Sequence, residues 1–302
     1  MPYQESLYTA AQVRELDRIV IERFGISGYE LMQRAGSFAY NVLNETFPNA
    51  QRIYVLCGRG NNAGDGYVLA KLAIEDDKYH KVIVINCFNP EKLEGDAKTA
   101  YQDLVAMKYD KEKVEIWNHN DFVDFEIEQQ PFPLDSVYVD AIFGTGLTRD
   151  IYDKNLVCII NNINIKYHLI GGVLSIDIPS GLNADTGNIM GVAVNANVTA
   201  TFMGKKRGMF THDGREYSGK IEFNNLDIPF ESYDELGDSH CKLTDCYDTD
   251  LATRKRNAHK GHFGHELDIG GDEGYLGAAQ MAAEAAMRVG SCLLYTSPSP
   301  RD

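Results

Sequence analysis

The chain has 302 residues, 44% of them hydrophobic and 24% charged, which is the composition of a globular protein with length for one large or two medium domains. Its net charge of -15 argues against nucleic-acid backbones and anionic membranes as main partners. An anionic cofactor stays compatible with that charge, because helix N-termini and glycine loops bind phosphate locally. Six cysteines, Cys57, Cys87, Cys158, Cys241, Cys246 and Cys292, form no paired framework. The first three lie in apolar contexts as small hydrophobes, and the spacing of Cys241 and Cys246 beside His240 does not make a zinc site. A reducing, cytoplasmic setting fits this usage, and no apolar leader or run of membrane-spanning length occurs.

In chain order, Thr9 reads as the N-cap of a first helix with Ala10, Val13, Leu16, Ile19 and Val20 on one face, ended by Gly25. A second helix runs from about Tyr29 to Thr46. Arg52 to Cys57 is a strand too apolar and β-branched to face water. A glycine-rich turn follows, and a helix is expected over Tyr67 to Ala73. Strands are expected at Lys81–Cys87, Val114–Trp117, Ser136–Phe143 and Gly172–Asp177, with helices at Glu94–Lys108 and Asn155–Ile165 between them. Val198–Met203 and Lys220–Leu226 read as closing strands. This alternation predicts an α/β fold, a doubly wound, Rossmann-like, mostly parallel sheet with ligands outside the carboxyl ends of its strands.

Three strand ends carry unusual chemistry. After the first strand, Gly58-Arg-Gly60-Asn-Asn-Ala63 fits the dinucleotide spacing G-x-G-x-x-G/A, though the same residues could form only a tight strand-to-helix turn. The following strand ends without the Asp or Glu that holds an NAD ribose, and no Lys-Ser/Thr pair follows the glycines, which excludes a P-loop. The second strand end is Val139-Asp-Ala-Ile-Phe-Gly-Thr-Gly146. The third is Ser175-Ile-Asp-Ile-Pro-Ser-Gly181. Three such loops at strand C-termini point to one crevice. Lys205, Lys206 and Arg207 could meet a cofactor phosphate, against the plainer reading of a solvated charge run.

Residues 1–232 form one domain on this reading, and 233–253 read as an acidic interdomain linker without apolar period. Residues 254–290 supply a second strand–glycine-turn–helix unit, with a strand at Glu266–Ile269 and a helix at Leu276–Val289. One strand and one helix do not make a domain. Residues 291–302 break the pattern and read as a non-native tail.

The three loops together resemble the N-terminal epimerase domain of the NAD(P)H-hydrate repair enzymes, with Asn61-Asn-Ala-Gly-Asp65 as the first of its signatures. His259-Lys-Gly-His-Phe-Gly264 with Gly270-Gly-Asp-Glu-Gly-Tyr-Leu-Gly-Ala-Ala279 resembles the opening of the ribokinase-like, ADP-dependent dehydratase domain of the bifunctional form. The resemblance implies an isomerase that epimerises hydrated NADH or NADPH (NADHX or NADPHX) as metabolite repair. It implies that Asn61, Asn62, Ala63, Gly64 and Asp65, with Gly144, Thr145, Gly146, Leu147, Thr148, Arg149 and Asp150, surround the hydrated cofactor. It further implies that Asp177 touches it and that Asn62, Asp140 and Ser180 bind one potassium ion. Oxygen ligands of that kind suit a hard cation. Asp177 is expected as the proton-transferring group, the alternative being that it caps the Pro179–Ser180 turn or bonds a ribose. The dehydratase's catalytic part falls outside this sequence, so ADP would serve only that missing part. The reading gives the chain a dinucleotide substrate, no nucleic-acid or membrane partner, and room for a homo-oligomer. A non-catalytic nucleotide- or protein-binding module on the same fold is the alternative.

Overall fold

The computed structural model describes residues 5–76, 78–118, 134–166, 171–244, 256–259, 266–270, 276–289, 291 and 294–296. They fall into two compact units, Met1–Thr244 and Asp245–Asp302. In the first, β1 (Leu7–Tyr8) leads into α1 (Ala10–Phe24), α2 (Gly28–Thr46), β2 (Arg52–Cys57), α3 (Asn61–Glu75), β3 (Lys81–Asn86), α4 (Gly95–Ala106) and β4 (Val114–Asn118). Then come β5 (Ser136–Ala141), α5 (Lys154–Lys166), β6 (Gly172–Ile176), β7 (Val198–Phe202), β8 (Lys205–Lys206), α6 (Gly214–Tyr217), β9 (Lys220–Asn224) and α7 (Glu231–Leu236). Thr9 caps α1 as its sequence predicts: its hydroxyl accepts from the Gln12 amide at 3.2 Å, and Gln12 Oε1 accepts from the Thr9 amide at 2.9 Å. Gly25 ends the helix in the left-handed conformation, φ 70°.

Seven strands pair in the order β4-β3-β2-β5-β6-β7-β9, every neighbouring pair parallel. The chain therefore winds outward one way from β2, returns, and winds outward the other way from β5. The reversal lies between β2 and β5, where loops leaving the two strands part and open a crevice. Alternation along β2 buries both faces. Ile53 and Val55 pack with Leu69, Ala70 and Leu104 on one side. Tyr54 and Leu56 pack with Ile159, Ile160 and Ile163 on the other. Each fully buried side chain of this size contributes about 1.5–3 kcal/mol.

The loop after β2 departs from expectation. The helix begins at Asn61, capped by Gly60, rather than near Tyr67. Gly64 and Gly66, read from sequence as turn residues, are helical and serve packing. A Cβ on Gly64 would stand 2.4 Å from Met32 Sδ of α2, and one on Gly66 would stand 2.6 Å from Ala141 Cβ of β5. The glycines let α3 lie hard against its neighbours at an intrinsic helical cost of about 0.5–1 kcal/mol each.

Residues 233–244, expected as linker, pack into the first unit. The Tyr233 hydroxyl donates to the Met203 carbonyl at 2.5 Å, and the Leu7 and Leu243 amides donate to the Cys241 and Glu5 carbonyls at 2.8 and 2.7 Å. A six-residue helix held by one buried aromatic leaves too short an apolar period to read. Cys158 also differs from its reading: it is exposed on α5, whereas Cys57 and Cys87 are buried.

In the second unit β10 (Glu266–Asp268) and α8 (Leu276–Val289) stand where the sequence puts a strand and a helix. The segment read as a non-native tail supplies β11 (Leu294–Thr296), parallel to β10, with Leu267 opposite Tyr295. Leu-Tyr-Thr suits a strand, and a strand–helix–strand crossover returns the chain beside β10. The expected Gly261–Gly264 and Gly271–Gly274 stretches lie outside the described residues.

Candidate active site

The C-terminal ends of β2, β5 and β6 and the N-terminal helices α1 and α2 enclose a cavity of about 1010 Å³. Gly58, just past β2, sets its depth: its amide donates to the Ala141 carbonyl at 3.0 Å, and a Cβ there would stand 1.8 Å from the Ile142 carbonyl oxygen. Only a glycine lets the two loops meet. The N-terminus of α3, where the N-cap Gly60 offers no side-chain cap bond, then opens onto the cavity through Gly60, Asn61 and Asn62. That end carries partial positive charge and suits an anionic group. Arg59, lying over the Phe88 ring at 5.7 Å, and Arg149 add guanidinium charge to the same wall.

Gly144 through Asp150 all line the cavity. Of the first signature, Asn61, Asn62 and Asp65 face it. Ala63 and Gly64 do not line it: Ala63 belongs to the core between α3 and the sheet, and Gly64 meets Met32. Once the helix starts at Asn61, every third or fourth residue turns inward and those between turn away.

Asp177 follows β6 with φ 69°, a left-handed conformation that costs a non-glycine residue free energy and aims its side chain back at the cavity. Its Oδ1 pairs with Lys206 Nζ, and its Oδ2 accepts from the Thr145 amide at 3.1 Å. Lys206 is wholly buried and also donates to Thr201 Oγ1 at 2.9 Å and the Phe202 carbonyl at 3.1 Å. Removing one partner from such a buried pair typically costs about 3–5 kcal/mol. None of the three cations at 205–207 lines the cavity, and the run is not a uniformly solvated face, because Lys206 is wholly buried between two half-buried neighbours. Lys205 lies over the Phe223 ring at 5.5 Å, and Arg207 donates to the Asp185 carbonyl at 3.0 Å. Sequence reading named Lys206 only as a possible phosphate contact; its pairing with Asp177 comes from β8 being held beside β1, with Tyr8 opposite Lys206.

Asp140 and Ser180 lie beneath the cavity floor, both buried. Asp140 Oδ1 accepts from Ser180 Oγ at 2.5 Å, and Oδ2 accepts from Ser175 Oγ and the Ser180 amide, each at 2.8 Å. Burial pushes the Asp140 carboxyl above its ordinary value, and these hydrogen bonds pull against that shift. Ser180 Oγ in turn accepts from the Phe143 amide at 2.8 Å. Asn62 sits at the other side of Gly144, whose Cβ position is 3.4 Å from Asn62 Cβ and 2.7 Å from Asp177 Oδ2. The Asn62 amide oxygen and nitrogen are both buried without a hydrogen-bond partner. A buried unsatisfied polar group costs about 1–3 kcal/mol, so this amide is built for something the protein alone does not supply. Asn62, Asp140, Ser180 and the Phe143 carbonyl offer only oxygen donors, a set that fits a hard cation.

The switch-point crevice, the open helix N-terminus and the paired buried acid define a doubly wound α/β domain with a polar cavity at the carboxyl ends of its strands. Comparison with known proteins agrees. The family described as YjeF-related protein N-terminus matches residues 28–208, more than half of the chain, and the chain belongs to that family. A bifunctional NAD(P)H-hydrate repair enzyme of Coxiella burnetii is 39% identical, the match covering 97% of this chain and 56% of that protein. The Escherichia coli enzyme of the same description is 32% identical over 96% of this chain and 52% of its own. The chain spans about half the length of the curated relatives it matches. A crystal structure of the yeast protein YNL200c superposes with a TM-score of 0.63 at 20% identity, covering 81% of this chain and 97% of that one, and shares the fold. Among the described residues no helix is long and apolar enough to cross a membrane.

Proposed function

We infer that the chain is an isomerase that interconverts the R and S forms of hydrated NADH and NADPH, a repair step for nicotinamide cofactors. The observation that carries the reading is Asp177, paired with buried Lys206 and opening onto a cavity whose rim supplies the α3 N-terminus and the 144–150 loop. The names of the relatives support it. Asn61, Asn62, Asp65, the 144–150 loop and Asp177 would hold the hydrated cofactor, with the pyrophosphate toward the helix N-terminus and Arg59. The carbon to be inverted bears a hydroxyl beside the ring nitrogen, and Asp177 exchanges a proton with that hydroxyl or with water at the same carbon.

Asn62, Asp140 and Ser180 would hold one potassium ion. The ion would occupy the unpartnered Asn62 oxygen and fix the 140–144 turn. A full-length parent would also dehydrate the S form with ADP through its second domain. The cytoplasm, where the cofactor pool is and thiols such as Cys57 stay reduced, is the compartment this function requires.

The test is chromatographic epimerisation of purified R-NADHX by the chain, with potassium and with potassium replaced by a large organic cation. Acceleration above the spontaneous rate, larger with potassium, is expected. A rate equal to the spontaneous one, with cofactor still bound, would reduce the site to a binding module.

A further inference from the structure

Of the six aspartates that line the cavity, Asp17, Asp65, Asp96, Asp150, Asp153 and Asp177, two are buried, Asp65 and Asp177. Asp65, one turn into α3, is buried with 6% exposure, yet no hydrogen bond or ion pair is made by its side chain among the described residues. Asp177, by contrast, is tied by Lys206 and by the Thr145 amide. A buried carboxyl with no partner is costly to keep ionised, and a fold keeps one where its proton is used. We propose, resting on the epimerase reading, that Asp65 gives a proton to the departing C6 hydroxyl and that Asp177 takes one from the water that replaces it.

The step balances without any further reactant. Asp65 protonates the hydroxyl oxygen; the C6–O bond breaks with its electron pair leaving on water, while the ring-nitrogen lone pair forms a C=N bond. Water then adds through oxygen to C6 from the opposite face, the C=N pair returns to nitrogen, and Asp177 accepts the surplus proton. The two carboxyls thus carry one proton between them. It returns to Asp65 through solvent, and the opposite epimer runs the same steps in reverse.

The surroundings sort the two roles. Burial, first, and then the negative charge of Asp177 push the Asp65 carboxyl well above its ordinary range, with Asp17 adding to the shift and Lys206 opposing it. Lys206 bonds Asp177 Oδ1 directly and makes no such bond to Asp65. The ammonium therefore sets the two carboxyls apart by geometry: Asp177 has a cation bonded to it and Asp65 has none among the described residues. Asp65 also sits on a helix that Gly64 and Gly66 clamp to α2 and the sheet, which holds the donor still.

The experiment is steady-state epimerisation by Asp65→Asn in the full chain, beside the wild type, in water enriched in heavy oxygen. Asparagine keeps the shape and a hydrogen-bond donor but has no proton to give. A kcat lowered by about 100-fold or more with KM held within a few fold is expected, that being the range for losing a general acid. Heavy oxygen should enter the product epimer at the rate of wild-type turnover. Near wild-type kcat in the variant, or a raised KM alone, would overturn the assignment, as would turnover without incorporation. A wild-type chain with no activity would instead remove the epimerase reading itself. Asp65→Asn takes away a buried unpaired acid, so it should fold, and its thermal unfolding checks that.

Discussion

Two acids stand at neighbouring strand ends of one sheet and have been given opposite surroundings. Asp140, in β5, is met only by neutral donors: two serine hydroxyls and the Ser180 and Ile142 amides. Asp177, after β6, is met by a buried ammonium and keeps an opening to the cavity. Neutral donors all pointing at one carboxyl tie the 175–180 and 140–143 segments together through it. A single salt bridge leaves lone pairs free for chemistry while holding the group in position. The same residue type is thus a cornerstone at one strand end and, on the proposed reading, a reagent at the next, one strand apart.

The largest effect should come at Asp177. Asp177→Asn is expected to lower epimerisation by about 10²–10⁴-fold, the span for removing a positioned acid–base group. It also strands Lys206, so stability should fall too. Adding Lys206→Met should restore much of the unfolding temperature and none of the rate. Recovery of activity in the double variant would show that Asp177 is no reagent. Asp140→Ala should act on stability first. It leaves the Ser175 hydroxyl and the Ser180 amide without their acceptor, at about 1–3 kcal/mol for each buried group, and so a loss of about 10 °C in Tm for a domain of this size. An unfolding temperature near wild type would show that Asp140 is not the cornerstone described.

The smallest effect sharpens the contrast with a third acid. The folded-state pKa of Asp65 is raised well above 3.8, so the protonated carboxyl is favoured by folding. The sign follows: wild-type stability associated with this group is full below its unfolded pKa and is lost as pH rises through the raised folded value. Asp65→Asn should flatten that dependence and unfold a few degrees higher at the alkaline end, about 1 kcal/mol in a domain of this size. Parallel curves for the two proteins in a thermal pH series would place Asp65 in a polar setting instead.

Much of this was legible in the residues. β2, β3, β5 and β6 announce themselves as runs of Val, Ile and Leu too apolar for any exposed face, and their alternation with helices dictates a parallel sheet. The three loops were legible because each puts polar residues and glycines immediately after such a run. The helix start at Asn61 was not, since glycine has the same letter whether it turns a chain or lets two helices touch. Lys206 was hidden inside a charge run, where only the pairing of β8 with β1 turns one of three cations inward. The packing of 233–244 rests on single contacts such as Tyr233 to Met203, 30 positions apart, which no local pattern records.

The glycines around the cavity fall into two kinds, and the division determines where its specificity can be altered. At Gly58, Gly64 and Gly66 an added methyl group would strike backbone or a packed side chain, whereas at Gly60 and Gly146 it would meet nothing within 4 Å. The β2–α3 junction is therefore closed to variation, and any change there shifts the sheet and two helices together. The rim at Gly60 and Gly146 is open ground, whereas Gly144, whose Cβ would stand 2.7 Å from Asp177 Oδ2, belongs with the closed positions. A library aimed at other hydrated or modified nucleotides should place its diversity on that rim and leave the junction untouched.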